Sequence, residues 1–357
     1  MRIAFLAPYS KQHCYRQWGV TDLSAAGKDV WFFKHFPDRA TEVDIVGCAA
    51  SWPYKKRVPL VVAQILSFLP SLSDYDVVIS SGFLNGFMFS ALRKVAPFWR
   101  WPSHVILDTQ AITFLQRAGS LKLRLTRFLL SPVDGVVCLS RSEQSFWEQR
   151  LGFSDRVVFA PFAIDPDAQA ANSTKGDYIF SCGATRRDWP LLISATKHVD
   201  AKLIVVAGRD SSTGKHGLEG IEIPGNTEVL LDVPYARYKD LLGKSMFVVV
   251  PLKSVPFTAG LTVITQAMAM GKAVIATRNP ALMDYIADGE TGLLAPPGEA
   301  GALAEKITYL LSNPSEVERI GLNARQAMKT HLGERAMAEG VWSLLQRLQV
   351  KATSVSG

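Results

Sequence analysis

The segment from Val249 to Gly298 carries the residue types and order that point most directly to chemistry. An apolar run, Phe247 to Pro251, enters a loop ending in Ala259-Gly260. A helical pattern follows from about Leu261 to Met270, then Gly271-Lys272 and a second apolar run from Ala273 to Thr277. Short apolar runs of this kind read as buried strands, so the whole is a strand–helix–strand crossover. Gly260 at the turn lets a ligand approach the backbone closely. The first N–H groups of the helix, on Leu261, Thr262 and Val263, have no acceptor within it and lie at the positive end of its dipole. They make an anion site that suits a phosphate.

The elements that must position this site repeat along the chain. In the first half, apolar strand candidates (Ile3 to Ala7, Val43 to Val46, Val77 to Ser80, Val105 to Asp108, Gly135 to Leu139, Val157 to Ala160) alternate with helical stretches. A polar, Pro- and Ala-rich stretch follows Pro161, and a second series then begins at Tyr178 and continues with Leu203 to Ala207, Val229 to Leu231, Phe247 to Pro251 and Ala273 to Ala276. Such alternation predicts an α/β chain of two doubly wound, mostly parallel sheets. The expected division is residues 1–165 and 166–333, followed by a final helix from about Glu334. Ligands of open parallel sheets sit beyond the carboxyl ends of the strands, so two such domains facing each other would enclose a cleft.

Two stretches, Ala267-Met268-Ala269-Met270-Gly271-Lys272-Ala273-Val274-Ile275 and Asp288-Gly289-Glu290-Thr291-Gly292, resemble in order and spacing the donor-sugar half of the GT-B glycosyltransferases, specifically the retaining family 4, or group 1, type. The resemblance extends into the first domain through Asp134 to Ser140 and Arg156 to Asp165. It implies two Rossmann-like domains, with the C-terminal helix 334–357 crossing back to the first, and transfer of a sugar from a nucleotide diphosphate donor, as co-substrate, to a glycan or lipid-linked acceptor. Neither cofactor nor metal is implied. Members of the family carry two Glu residues that here fall on Thr258 and Gln266, and the Gly-Gly turn usual after the first strand is reduced to Trp18-Gly19.

Carried onto this sequence, the resemblance assigns further residues. The loop Gly183-Ala184-Thr185-Arg186-Arg187 follows the first strand of the second domain, where the family delivers basic side chains to the diphosphate. A guanidinium there would hold two phosphate oxygens and neutralise charge developing on the leaving group. The bland alternative for such a pair is solvent exposure. Asp188 would orient one of the arginines. The base would lie near Leu231-Asp232-Val233, the ribose near Gln266, and the sugar against Thr258, Ala259 and Gly260, with Thr258 unable to supply the charge a Glu would. Asp108, at a strand end near where the family often has a His, would bond acceptor hydroxyls or assist deprotonation; as a plain turn residue it would cap a helix instead. The departures at Thr258 and Gln266 keep a non-catalytic nucleotide-sugar-binding or partner protein in play, and a nucleotide-sugar epimerase is the other alternative.

Other classes fit less well. The 357 residues are 48% hydrophobic and 20% charged, a globular composition, and no apolar run is long enough to span a bilayer, which points to a cytoplasmic protein. The four cysteines have no paired spacing, so neither zinc nor a disulfide framework is expected. Gly208 to His216 resembles a phosphate loop with wrong spacing, Asp165-Pro166-Asp167 sits at the hinge, and no Gly-x-Gly-x-x-Gly follows the first strand. Of six histidines only His13 is placed to face a cleft. Of the net charge of +7, the excess through Asp167 is +5, from 19 Lys and Arg against 14 Asp and Glu. Basic residues there stand beside apolar ones at Lys55 to Leu60 and Arg93 to Trp101. These clusters suit an anionic membrane surface, or are the solvated sides of ordinary helices. No nucleic-acid-binding motif accompanies them.

Overall fold

The computed structural model describes residues 1–7, 9–12, 14, 24–48, 57–108, 111–162, 164–167, 176–210, 213–255 and 257–355. His13, the Trp18-Gly19 turn and Lys55-Lys56 lie outside the described residues. The chain divides into two compact units, Met1–Ala163 with Glu334–Gly357, and Ile164–Gly333.

The first unit runs β1 (Arg2–Leu6), β2 (Glu42–Val46), α1 (Arg57–Phe68), β3 (Val77–Ser81), α2 (Phe83–Val95), β4 (Ser103–Asp108), α3 (Ala111–Leu115), α4 (Ser120–Leu130), β5 (Gly135–Cys138), α5 (Arg141–Phe146) and β6 (Val157–Phe159). The strands form one parallel sheet in the order β2-β1-β3-β4-β5-β6. Central strands such as Ile3-Ala4-Phe5-Leu6 are buried at every residue, because helices cover both faces and alternation with polar residues would strand a polar group in the core.

The second unit runs β7 (Tyr178–Gly183), α6 (Trp189–Thr196), β8 (Lys202–Ala207), β9 (Thr227–Leu231), α7 (Tyr235–Lys244), β10 (Val248–Val250), α8 (Leu261–Ala269), β11 (Val274–Thr277), β12 (Leu293–Ala295), α9 (Ala300–Ser312) and α10 (Pro314–Thr330). Its parallel sheet is ordered β12-β11-β10-β7-β8-β9. Counted from β7 this is the 3-2-1-4-5-6 order of dinucleotide-binding folds, whose reversal point lies between β7 and β10. Apolar side chains from α6, β8, β11, α9 and α10, among them Trp189, Leu192, Leu203, Ile275, Ile307 and Ile320, close one core. The two doubly wound sheets read from the sequence are both present. Strand β12 was not among the expected ones: three residues at a sheet edge carry too short a pattern to register.

Helix α11 (Glu334–Val355) belongs to the first unit. Its first residue, Glu334, is buried and pairs with Lys34 at 2.8 Å, and Trp342 packs on Phe36 with ring centroids 5.0 Å apart. At Gly340 the helix comes so close to β6 that a Cβ would lie 2.9 Å from the Cβ of Ala160. Among the described residues no helix is long and apolar enough to cross a membrane.

Candidate active site

The loops after β7 and β10 flank the reversal point of the second sheet and are zipped together by backbone. Arg187 and Leu252 form an antiparallel bridge, Asp188 N–H donates to the Pro251 carbonyl at 3.1 Å, and Lys253 N–H donates to the Arg186 carbonyl at 3.0 Å. This pairing sends the two adjacent arginines in different directions. Arg187 folds back beneath its own loop: Nε donates to the Cys182 carbonyl at 2.8 Å and Nη1 to the Thr185 carbonyl at 3.1 Å, and the residue is 7% exposed. Burial lowers its pKa, opposed by Cys182 and Tyr238. The fold at this point requires Gly183, whose φ is +134° and whose Cβ, if present, would lie 2.3 Å from the Arg187 guanidinium. Arg186, at φ +60°, is exposed and lies 5.9 Å from the centroid of Phe257. The expectation that Arg187 serves as a phosphate ligand is therefore corrected. Its hydrogen bonds go to its own loop, while Arg186 is the arginine presented outward. Asp188, expected to orient an arginine, instead caps α6 by accepting from Leu191 N–H at 3.2 Å.

Phe257 brings Arg186 next to the start of α8. The Phe257 carbonyl accepts from Ala259 N–H at 2.8 Å and from the Asn279 amide at 3.2 Å, which holds the turn that contains half-buried Thr258. Gly260 caps the helix with φ +82° and contributes no side chain. The Val263 N–H, expected to be available, donates to the Gly260 carbonyl at 3.1 Å. The N–H groups of Leu261 and Thr262 have no acceptor among the described residues. Two free backbone donors at the positive end of α8 and an exposed guanidinium over the ring of Phe257, three residues before Gly260, thus lie beside the sheet's reversal point, and both features suit an anion.

Gln266 departs from the sequence reading. It is 1% exposed, its Oε1 accepts from the Tyr238 hydroxyl and its Nε2 donates to the Tyr235 hydroxyl at 2.8 Å. An amide so enclosed has both its polar atoms engaged by the protein, and Tyr235, which it meets, is itself exposed. Tyr238 also interacts with the Cys182 thiol, so the chain Gln266–Tyr238–Cys182–Arg187 ties α8 to the β7 loop. Burial pushes the Tyr238 pKa well above its usual value and that of Cys182 up to about 12, so both stay neutral and act as hydrogen-bonding groups. Neither tyrosine was singled out in the sequence; their one available signal is the i, i+3 spacing at a helix start. Replacing Tyr238 with Phe should destabilise the second unit by about 1–3 kcal/mol, the cost of leaving the buried Gln266 carbonyl unsatisfied. Urea unfolding of the two proteins measures it.

The remaining site expectations scatter. Asp232, at φ +49°, accepts from Arg209 at 3.1 Å and His216 at 2.9 Å, and these partners, His216 foremost, lower its pKa. Its carboxylate thus braces the loop after β8, while Val233 beside it is half-buried. Asp108, in the first unit, is 0% exposed: it accepts from Ala111 N–H at 3.0 Å at the start of α3 and from the Trp147 indole at 2.7 Å. That corrects the catalytic expectation in favour of the capping one, since a carboxylate so enclosed presents no oxygen to an acceptor. Among the described residues no group of three His, Cys, Asp or Glu is arranged to hold a metal ion.

Residues 168–327, which contain the whole anion site, match the family model for glycosyl transferases group 1. Over 98% of this chain and 100% of the other, the fold matches that of sucrose-phosphate synthase from Thermosynechococcus elongatus, with a TM-score of 0.75 at 17% identity. The chain has the GT-B fold, and its second unit matches the glycosyl transferases group 1 family. An uncharacterized glycosyltransferase of Methanocaldococcus jannaschii is 29% identical over 214 residues, which is 57% of each protein, so the aligned part spans little more than half of that relative. The structure of Anabaena HepE in complex with UDP-glucose matches with a TM-score of 0.67 at 17% identity over 98% of this chain and 100% of that one. At such identities the structural matches carry the GT-B fold, and the family match lies on the unit that carries the anion site.

Proposed function

We propose that this GT-B protein transfers a hexose or similar sugar from a nucleotide diphosphate donor to a polysaccharide, lipid-linked or other glycan precursor, with retention at the anomeric carbon. The observation that carries the reading is the free start of α8 at the β7–β10 reversal point, with Arg186 exposed over Phe257 three residues before Gly260. In this reading the diphosphate lies on the helix start, and Arg186 neutralises the charge that grows on the leaving phosphate as the glycosidic bond breaks. No metal is assigned, because helix dipole and guanidinium meet that charge. The sugar rests against Thr258 to Gly260 and the base near the end of β9. The resemblance to retaining enzymes implies front-face transfer, in which the leaving phosphate oxygen itself takes the acceptor proton, so the buried position of Asp108 is no obstacle. The complex of HepE with UDP-glucose supports a nucleotide-sugar donor. The reaction is placed in the cytoplasm, where such donors are made.

The second reading, a nucleotide-sugar-binding protein without turnover, is favoured by Thr258 standing where the family has Glu and by the enclosure of Gln266. Thermal shift across nucleotide sugars separates the readings when followed by assay of released nucleoside diphosphate. At least one donor should raise the melting temperature and be consumed. Tight donor binding with neither transfer nor hydrolysis, unaltered by Thr258→Glu, would overturn the catalytic reading.

A further inference from the structure

Helix α4 in the first unit is apolar on two opposite faces. Thr126 and Leu130 point into the unit, whereas Leu121, Leu125 and Phe128 lie on the other side and are 79%, 57% and 58% exposed. Residues at i, i+4 and i+7 share one helical stripe, so these three form a continuous ridge. At its Phe128 end the ridge joins a groove with the segment after α2: Lys94 Nζ lies 4.5 Å from the Phe128 ring centroid, and Trp99 stacks on Trp101 with ring centroids 5.8 Å apart. Beyond the groove Val95 and Phe98 are exposed as well. A contiguous apolar surface on that scale marks an interaction site.

The charge around the ridge says what covers it. From Val77 to Val133 there are seven Lys and Arg and one acidic residue, Asp108, which is buried. Lys122 and Arg124 flank the ridge on α4 and are exposed, as are Arg100 and Arg117 nearby. A second copy seated here would set cations against cations. A surface that presents negative charge above hydrocarbon fits instead, with Leu, Phe and Trp entering the apolar layer and Lys and Arg meeting headgroup phosphates.

We infer that the α4 ridge with the Lys94–Trp101 segment docks this protein on an anionic lipid bilayer. The sequence points to the Arg93–Trp101 half of this face; α4, the larger part, becomes visible only once its inward side is known. Docking here would present the protein to a lipid-linked acceptor, and it needs no donor, so flotation and turnover can fail separately.

The test is flotation with vesicles of phosphatidylcholine alone and with about a third phosphatidylglycerol, at low and high salt, where screening shortens electrostatic reach from about 10 Å to a few. The native protein should float with the anionic vesicles alone and lose binding as salt rises. Lys122→Glu with Arg124→Glu should reduce partitioning at least about tenfold. Leu121→Ser with Leu125→Ser and Phe128→Ser should do the same at low salt, with circular dichroism and melting unchanged because all three are surface residues. Equal recovery on neutral and anionic vesicles, or variants that float as the native protein does, would overturn the inference. So would a dimer in sedimentation velocity that the Ser variant dissociates, which would make the ridge an interface between copies.

Discussion

Gly260→Asp is expected to weaken binding of nucleoside diphosphate by about two orders of magnitude, the sum of lost hydrogen bonds to a charged group, about 1.5–3 kcal/mol, and new like-charge repulsion. An Asp at this position would turn its carboxylate onto the helix start, within reach of the Thr262 N–H, occupying the proposed anion site from within. Gly260→Ala is the control. It carries at least the backbone strain of Asp, about 1–2 kcal/mol for a side chain at φ +82°, so strain cannot account for weaker binding by the Asp variant. It also meets the same neighbours, with its Cβ 3.2 Å from Val250 and 3.4 Å from Leu252. The difference between the two variants in calorimetric affinity therefore isolates the anion site from the strain. Equal affinity in both would remove the diphosphate from the start of α8.

Two neighbouring arginines should give opposite results. Arg187→Ala is expected to cost about 1.5–3 kcal/mol of stability or more, because it leaves the Cys182 and Thr185 carbonyls without their charged donor. Arg187→Lys should not rescue it, since an ammonium cannot span two carbonyls as a planar guanidinium does. Arg186→Ala is expected to leave stability within about 0.5 kcal/mol, as for an exposed side chain, and to weaken diphosphate binding roughly tenfold to a hundredfold. Denaturant unfolding and calorimetry on the same preparations read both effects. A stability loss shared by both variants, or diphosphate affinity unchanged in Arg186→Ala, would undo the division of roles.

The element pattern was legible because each central strand is a run of apolar residues bounded by turns, and the crossover around Gly260 shows its helix start in the residues themselves. What periodicity reports is whether a face is buried, a local property of composition and spacing. It does not report which polar group a side chain meets. Arg186 and Arg187 are adjacent and chemically alike; the β7–β10 zipper and the left-handed turn at Arg186 send one outward and one inward. The resemblance places Gln266 beside the ribose, but its partners Tyr235 and Tyr238 come from a helix about thirty residues upstream. Asp108 was open between base and cap until Trp147, 39 residues later, was seen to donate to it.

The sequence by itself determined the two doubly wound sheets and the helix start after Gly260, because strand burial and helix-terminal geometry follow from nearest-neighbour chemistry. Tertiary structure alone decided which arginine is presented outward, that Gln266 is enclosed, that α11 belongs to the first unit, and that α4 carries an apolar ridge on its outer side. Each of these depends on a partner distant along the chain, and strand order chooses that partner.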